Sequence, residues 1–454
     1  MSLTLEQTEM DSLRESVDRS ARKYRFMFWG GVGLTILYFI LTFIQFDLAG
    51  VVRKWNPERA ALFVLDTYAH KDHVTTRWTT YPEVEIAFEG GHRHVYDPKP
   101  EWFSVAGDAS TVTFKNGAQV TIFPDQVEMT YPGYDETYTF TLNDDGKPFV
   151  VGYDGIEDQL PDWIRRTANK VEVRPSLFER LQVGTSKIEL HRYEVGWKYF
   201  WFDFHSPLVG MGPLEAISLM FSSERVVPEV SNASLVYREF MDNSQWMHGT
   251  VLFAMVETIL MALLGTMIAC IVALPLAFMA AYNVQPFGVV RFGLRRFFDL
   301  LRGIDVLIWS LIFLRAFGPG LFTGIFAIAF TDTGTLGKLM SEAIENADSK
   351  QREGVQSTGA TRVQQHRFGI LPQIMPVFIS QSLYYLESNT RGAVIIGAMG
   401  AGGIGLQFLG ALQTGNDFEN VGYMALLVLA TVIAMDFFSA RLRRALIGFD
   451  KPSH

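Results

Sequence analysis

Residues Phe26 to Phe46 form 21 consecutive positions without a charge, bounded by Arg25 and Asp47. About 20 apolar residues in a helix suffice to cross a hydrocarbon core of roughly 30 Å. Within lipid every backbone polar group must find its partner inside the element, so this stretch predicts a transmembrane helix. A cleaved signal peptide has a shorter apolar core, about 7 to 15 residues, and does not follow a long polar segment. Apolar stretches return in series after about residue 249: Val251 to Tyr282, Val306 to Phe317, Leu321 to Thr331 with a polar continuation, Ile374 to Met399 and Val421 to Phe438. With 48% hydrophobic residues, 36 Phe and only 19% charged residues, much of the chain is composed to avoid water.

The charges between these stretches are lopsided. Arg291, Arg295, Arg296 and Arg302 fall in one connection, Lys350, Arg352, Arg362 and Arg367 in another, and Arg441, Arg443 and Arg444 follow the last stretch. Arg19, Arg22, Lys23 and Arg25 precede the first. Cytoplasmic connections carry the excess of Lys and Arg, which places these segments and both termini in the cytoplasm and requires an even number of crossings. Six fits. The expected organisation is a cytoplasmic segment over 1–25, a first transmembrane helix over 26–46, an extracytoplasmic domain over 47–205, an outer interfacial connection over 206–246, a transmembrane core over 247–445 and a cytoplasmic tail over 446–454.

The insert differs in kind. Residues 47–246 carry 30 Asp and Glu against 19 Lys and Arg and contain no plausible span. Thr111 to Lys115, Asn116-Gly117 and Ala118 to Phe123 read as two alternating strands joined by a type I′ turn. Glu83 to Phe88, Glu136 to Leu142 and Tyr193 to Phe204 read as further strands, and Asp162 to Asn169 as one short helix. The aromatic-rich stretch Gly196 to Phe204 reads as a core strand, or as an amphipathic face lying on the bilayer. Trp78, Trp102, Trp163, Trp197 and Trp201 give the insert more core than a linker needs, so it should fold by itself. Cys270 is the only cysteine and lies mid-span, so no disulfide braces the insert. His70, His73, His92 and His94 could suggest a zinc site, but with no cysteine partners and with His92 and His94 alternating on a strand or loop no metal site is expected.

Gly400-Ala401-Gly402-Gly403-Ile404-Gly405 is formally G-x-G-x-x-G, with Asp417 and Glu419 downstream. A dinucleotide loop must follow a parallel strand and open a water-accessible helix, whereas this run ends a membrane helix that begins near Ile374. The reading that fits is close helix packing, a bend or a gate at Gly397, Gly400, Gly402, Gly403 and Gly405. The chain also lacks G-x-x-x-x-G-K-[ST], so nucleotide hydrolysis is not expected in it.

The connection from Glu342 to Pro372 is more specific. It contains Glu353-Gly354-Val355, three residues, Gly359, nine residues, then Gly369-Ile370-Leu371-Pro372. Helix formers, a glycine turn and a Leu-Pro stop before the next span make two short helices set at an angle. The spacing resembles the E-A-A-x3-G-x9-I-x-L-P loop of ABC importer permeases and departs from it at Gly354, Val355 and Gly369. With Glu387-Ser388-Asn389-Thr390-Arg391 and the GAGGIG run, residues 225–445 are similar to phosphonate-type importer permeases. Residues 50–205 share no such likeness. The resemblance implies an α-helical polytopic membrane protein with a type I importer core of about six transmembrane helices and an inserted, mainly β, extracytoplasmic domain. It implies ATPase coupling through Glu353, Gly354, Gly359, Ala360, Leu371 and Pro372. It implies a homodimer in the lipid bilayer, served by a separate ATPase that binds ATP and Mg and by an extracytoplasmic solute-binding protein, with no nucleic-acid partner.

Ionisable residues inside spans face a bundle interior or a wet cavity, and those noted are Glu257, Arg315, Glu387, Arg391 and Asp436. Glu387 and Arg391, four apart, can pair on one helix face, either for packing or for anion passage. The expected pathway residues are Arg315, Glu387, Asn389 and Arg391. Two other readings remain: import of another solute, such as methionine or another oxyanion, and a membrane sensor whose β domain detects a ligand. The sensor lacks a cytoplasmic output domain, and the coupling loop speaks against it.

Overall fold

The computed structural model describes residues 2–47, 50, 53, 55, 57–89, 93–134, 136–153, 159–414 and 418–447. By compactness the chain divides after Phe63. The first unit is dominated by α1 (Ser2–Gln45), in which the polar N-terminal residues continue the helix of the first apolar stretch without a break. Its part from Ser20 to Gln45 is long and apolar enough to cross a membrane. A short helix, α2 (Pro57–Asp66), follows.

The insert folds into two antiparallel sheets. One holds seven strands in the order β10 (Ile164–Arg166), β11 (Lys170–Val173), β12 (Glu179–Gly184), β13 (Lys187–Val195), β1 (Ala69–Arg77), β2 (Glu85–Glu89), β3 (His94–Val95). The other is a six-strand meander: β4 (Phe103–Ala106), β5 (Ala109–Thr113), β6 (Gln119–Ile122), β7 (Gln126–Thr130), β8 (Tyr138–Leu142) and β9 (Pro148–Val150). Alternation fixes which face is inside: in β13, Ile188 and Leu190 are buried while Lys187, Glu189 and His191 point the other way. Val74, Leu181, Ile188 and Leu190 of the first sheet join Val120, Ile122, Val127 and Phe140 of the second in one buried cluster, the core of a sandwich.

Three local expectations change. Asp162 to Asn169 is not a helix: Ile164 pairs with Val173 and Arg166 with Val171 in a tight hairpin, since sheet pairing that buries Ile164 outweighs the weak local tendency of so short a helix. The Asn116-Gly117 turn joins β5 and β6 as expected, but it is not type I′. The Gly117 N–H donates to the Phe114 carbonyl at 3.0 Å, the Phe114 N–H donates to the Ala118 carbonyl at 2.9 Å, and of the turn residues Gly117 alone has positive φ. That is a three-residue loop ending in a glycine bulge, with the Asn116 side chain held by the Ala118 N–H. The strand expected over Tyr193 to Phe204 ends at Val195 because Gly196, at φ +120°, turns the chain out of the sheet.

The remaining chain is helical: α3 (Pro213–Met220), α4 (Asn232–Met241), α5 (His248–Ala280), α6 (Gly288–Gly303), α7 (Val306–Phe317), α8 (Leu321–Glu345), α9 (Ser349–Ser357), α10 (Arg362–Gln365), α11 (Leu371–Ile396), α12 (Gly403–Thr414) and α13 (Phe418–Ile447). Among the described residues, α5 and α13 join Ser20–Gln45 as helices able to cross a membrane alone, and the bent pair Arg362–Ala401 and Gly403–Thr414 makes a fourth. The described residues therefore hold three such helices, or four with the bent pair, where six crossings were expected. At 12 residues α7 is too short to cross by itself, and only Ile304 and Asp305 separate it from α6. With 25 residues α8 is long enough, but it carries Asp332, Lys338, Glu342 and Glu345.

Residues 196–204, neither core strand nor extended amphipathic face, fasten the sandwich to the helices. The Trp197 indole N–H donates to the Thr67 carbonyl at 3.0 Å and that of Trp246 to the Lys198 carbonyl at 3.1 Å. Asn243 Nδ2 donates to the Tyr199 and Phe200 carbonyls, and His248, the first residue of α5, bridges the Phe200 carbonyl at 2.6 Å and the Tyr423 hydroxyl at 3.1 Å. Phe240 stacks on the His248 ring at 4.1 Å between centroids.

On the sheet face away from the core, His73 and His191 are paired across β1 and β13 with ring centroids 4.2 Å apart. Burial pushes both rings below the ordinary imidazole range, His191 to about 3, helped by the neighbouring His73 ring. Between pH 6.5 and about 3 the unfolded chain therefore binds protons that the sheet excludes. This contribution is full above pH 6.5 and is lost as pH falls toward 3. Urea unfolding of an excised segment 69–195 should show stability declining from pH 7 to pH 4, with a shallower decline in His191→Gln. Equal slopes in the two proteins would contradict the assignment.

Candidate functional site

The glycine run makes a bend. Gly400, Gly402 and Gly403 have φ of +111°, +88° and +68°, a region L side chains enter only with strain, and the helices on either side meet at 63°. A methyl group on Gly405 would fall inside contact distance of the Val394 carbonyl, and one on Gly397 of the Gly402 carbonyl, so the bend is also tightly closed. Its far side opens α12, whose first N–H groups need acceptors. Glu257 of α5 accepts from the Gly403 N–H at 3.2 Å and Thr258 from the Ile404 N–H at 2.9 Å. A carboxylate thus occupies the helix N-terminus that a dinucleotide pyrophosphate would use. Asp417, part of that formal fingerprint, lies outside the described residues.

Three of the four expected pathway residues divide between two faces of α11, and the fourth, Arg315, lies on α7. Arg391 Nη2 lies 3.2 Å from Glu387 and Nη1 3.9 Å from Asp436 of α13, with the Arg391 and Asp436 side chains 48% and 49% exposed. Asn389 points the other way: its Nδ2 donates to Asp332 Oδ2 at 2.5 Å and to Thr266 Oγ1 at 2.8 Å, tying α11 to α8 and α5. Arg315, on α7, is exposed and makes no ion pair among the described residues. Asp332 is 5% exposed and was missed from the sequence because the apolar stretch was closed one residue earlier, at Thr331. A charge type inside the helix that follows was the available signal.

The expected coupling segment is two short helices with a glycine between them. The Asp348 side chain caps α9, Gly359 turns the chain at φ +82°, and Thr361 with Gln364 forms a capping box for α10. Glu353 and Gly354 are exposed on α9, and the Ala360 carbonyl accepts from Gln365 Nε2 at 3.0 Å. Leu371-Pro372 does not stop the second helix. The chain stays helical from α10 through a widened turn at His366–Ile370, where the Leu371 N–H reaches back to the His366 carbonyl, into α11. A wider turn accommodates a residue that has no N–H to give. Gly369, a departure from the expected pattern, has a local reason: a Cβ there would sit 3.0 Å from the Arg352 Cα, so α9 packs directly on it.

Of the histidines, His92 lies outside the described residues, and His70 and His73 fall on opposite faces of β1. Among the described residues no three His, Cys, Asp or Glu converge as a metal-binding group.

Residues 273–447, which include the bend and the coupling segment, match the family described as binding-protein-dependent transport system inner membrane component. Over 191 residues the chain is 36% identical to the phosphite transport system permease protein of Stutzerimonas stutzeri, covering 42% of this chain and 69% of that protein. It is 42% identical over 121 residues to a putative cryptic phosphonate transport system permease protein of Escherichia coli K12, covering 27% of this chain and 98% of that one. The chain belongs to this family of transport permeases. Identity to the phosphate-import permease protein of Mycolicibacterium smegmatis is 35% over 192 residues, 36% of that protein's length. Among solved structures, the MetNI methionine ABC transporter gives a TM-score of 0.40 at 20% identity over 44% of this chain and 97% of that chain. As a permease the chain is a membrane transport subunit and not an enzyme.

The bend generates a test. Gly405→Ala should overpack the closure and cost about 1–3 kcal/mol. Gly410→Ala, in α12 with nothing within 4 Å, should be neutral or stabilising by up to about 1 kcal/mol. Thermal unfolding in detergent distinguishes them, and equal effects would contradict a tightly closed bend.

Proposed function

We propose that the chain is the membrane-spanning subunit of an ATP-driven importer for phosphonate or a related phosphorus oxyanion. The observation that carries this reading is the joint presence, within the matched residues 273–447, of the two-helix coupling segment and the glycine bend. The phosphonate and phosphite names of the relatives supply the solute class. ATP and Mg bind to a separate ATPase, which docks on the coupling segment. A cleft of about 820 Å³ bordered by Gln351, Gly354, Val355, Thr358 and Gly359 supports this docking. The arginine-rich connections, the first turns of α6 among them, lie in the cytoplasm with both termini, the sandwich lies outside, and six crossings result when α7 and the end of α6 act as one broken span.

Half-exposed charges cannot rest against lipid, so the face bearing Glu387, Arg391 and Asp436 borders a wet pathway completed by a second copy of the chain. The sandwich, fixed to the outer ends of α5 and α13, stands where an extracytoplasmic solute-binding protein approaches.

In proteoliposomes containing the chain, its ATPase and its binding protein, ATP-dependent uptake of a phosphonate or phosphite is expected; uptake of neither would contradict the reading. Gly359→Leu should insert normally yet lower uptake by about tenfold or more, because a left-handed leucine costs about 1–2 kcal/mol and would re-aim α10 against α9. Arg391→Ala should reduce uptake with receptor binding unchanged. Full recovery in the Glu387→Ala, Arg391→Ala double variant would reduce that pair to a packing role.

A further inference from the structure

We infer that a groove between the end of α5 and the second half of the coupling segment binds an anionic phospholipid of the cytoplasmic leaflet, with the headgroup phosphate on arginine side chains and an acyl chain along the apolar wall. The inference rests on the orientation proposed above. The groove is an open surface depression of about 370 Å³. Phe278 and Met279 from the last turns of α5 form one wall, and Val363 and Leu371 from the chain entering α11 form the other. Val363 is 74% exposed, so this apolar surface is left uncovered by the chain itself. At 33 residues α5 is about 50 Å long, against roughly 30 Å for a hydrocarbon core, which brings its last turns to headgroup level.

The rim is cationic. Arg367 lines the groove, and exposed Arg362 lies at the start of the same short helical run. Arg352 donates to the Asn283 carbonyl and Arg291 to the Tyr282 carbonyl, each at 3.3 Å, which holds two further guanidinium groups beside the wall residue Val284. No Asp or Glu lines the groove among the described residues. Nearby Glu345 is already engaged by Arg295 and by the Tyr282 N–H. His366 lines the same space, and its buried Nδ1 has no hydrogen-bond partner among the described residues. Guanidinium groups suit phosphate because they can give two parallel hydrogen bonds to it, and basic pockets at the cytoplasmic surface recognise anionic headgroups. A free phosphate would use the arginines and leave the wall bare.

The assembled transporter with its ATPase, stripped in neutral detergent and incubated with phosphatidylglycerol or phosphatidylcholine, is read by native mass spectrometry for retained lipid. Phosphatidylglycerol should be retained in preference to phosphatidylcholine, and the Arg362→Gln, Arg367→Gln double variant should retain about tenfold less or lower still. Val363→Glu should also lose it, while excess inorganic phosphate should not displace it. Equal retention of the two lipids, unchanged retention in both variants, or displacement by inorganic phosphate would overturn the site. So would retention that appears only once the ATPase is removed, which would assign the groove to that partner. Lipid retention needs no transport, so a chain that holds the lipid but imports no phosphonate fails the functional reading alone.

Discussion

From Val64 onward the architecture depends on the aromatic joint between the end of β13 and the first turn of α5. A sandwich gains its stability by removing apolar surface from water, whereas helices in a bilayer have no such drive toward one another and rely on close packing and internal hydrogen bonds. Where the two regimes meet, backbone groups of an irregular connection must be satisfied without either kind of ladder. Here side chains do it: Asn243 and His248 serve the carbonyls of Tyr199 and Phe200, and Trp246 serves Lys198. Asn420 Nδ2 donates to the Gln245 carbonyl at 3.0 Å, drawing the start of α13 into the same joint.

The other end of the helices carries a mechanical continuity. The chain is helical from Arg362 to the bend, so α10, α11 and Gly400 lie on one continuous helical path. Asn389, bound to Asp332 and Thr266, ties that path to α8 and α5. At the bend one helix ends and another begins, with Glu257 holding the second by its N-terminus.

Much of this was legible in the sequence, for identifiable reasons. The uncharged runs that became α1, α5 and α13, and the glycine that separates α9 from α10, are local or periodic signals. The β5–β6 hairpin was readable from Asn116-Gly117, although the turn type was set by one residue more than the dipeptide shows. What failed was decided at long range. Ile164 became a strand because Val173 was there to pair with it. Residues 197–204 carry aromatics suited to a strand, and nothing in their order reveals that Trp246, His248 and Tyr423 would meet them. Asp332 stands just past an apolar run, and only its contact with Asn389 shows that it turns inward. Pro372 looked like a stop because the widened turn that accommodates it has no sequence signature.

The joint makes the sandwich a fixed part of the permease and not a domain on a tether. The most direct measurement is the distance between spin labels at Thr130, exposed on the meander, and Thr250, exposed at the start of α5, in a Cys270→Ser background. A single narrow distance distribution, broadened by Trp197→Ala with Phe200→Ala, is the expected result. A broad or multi-peaked distribution in the unaltered joint would contradict the account.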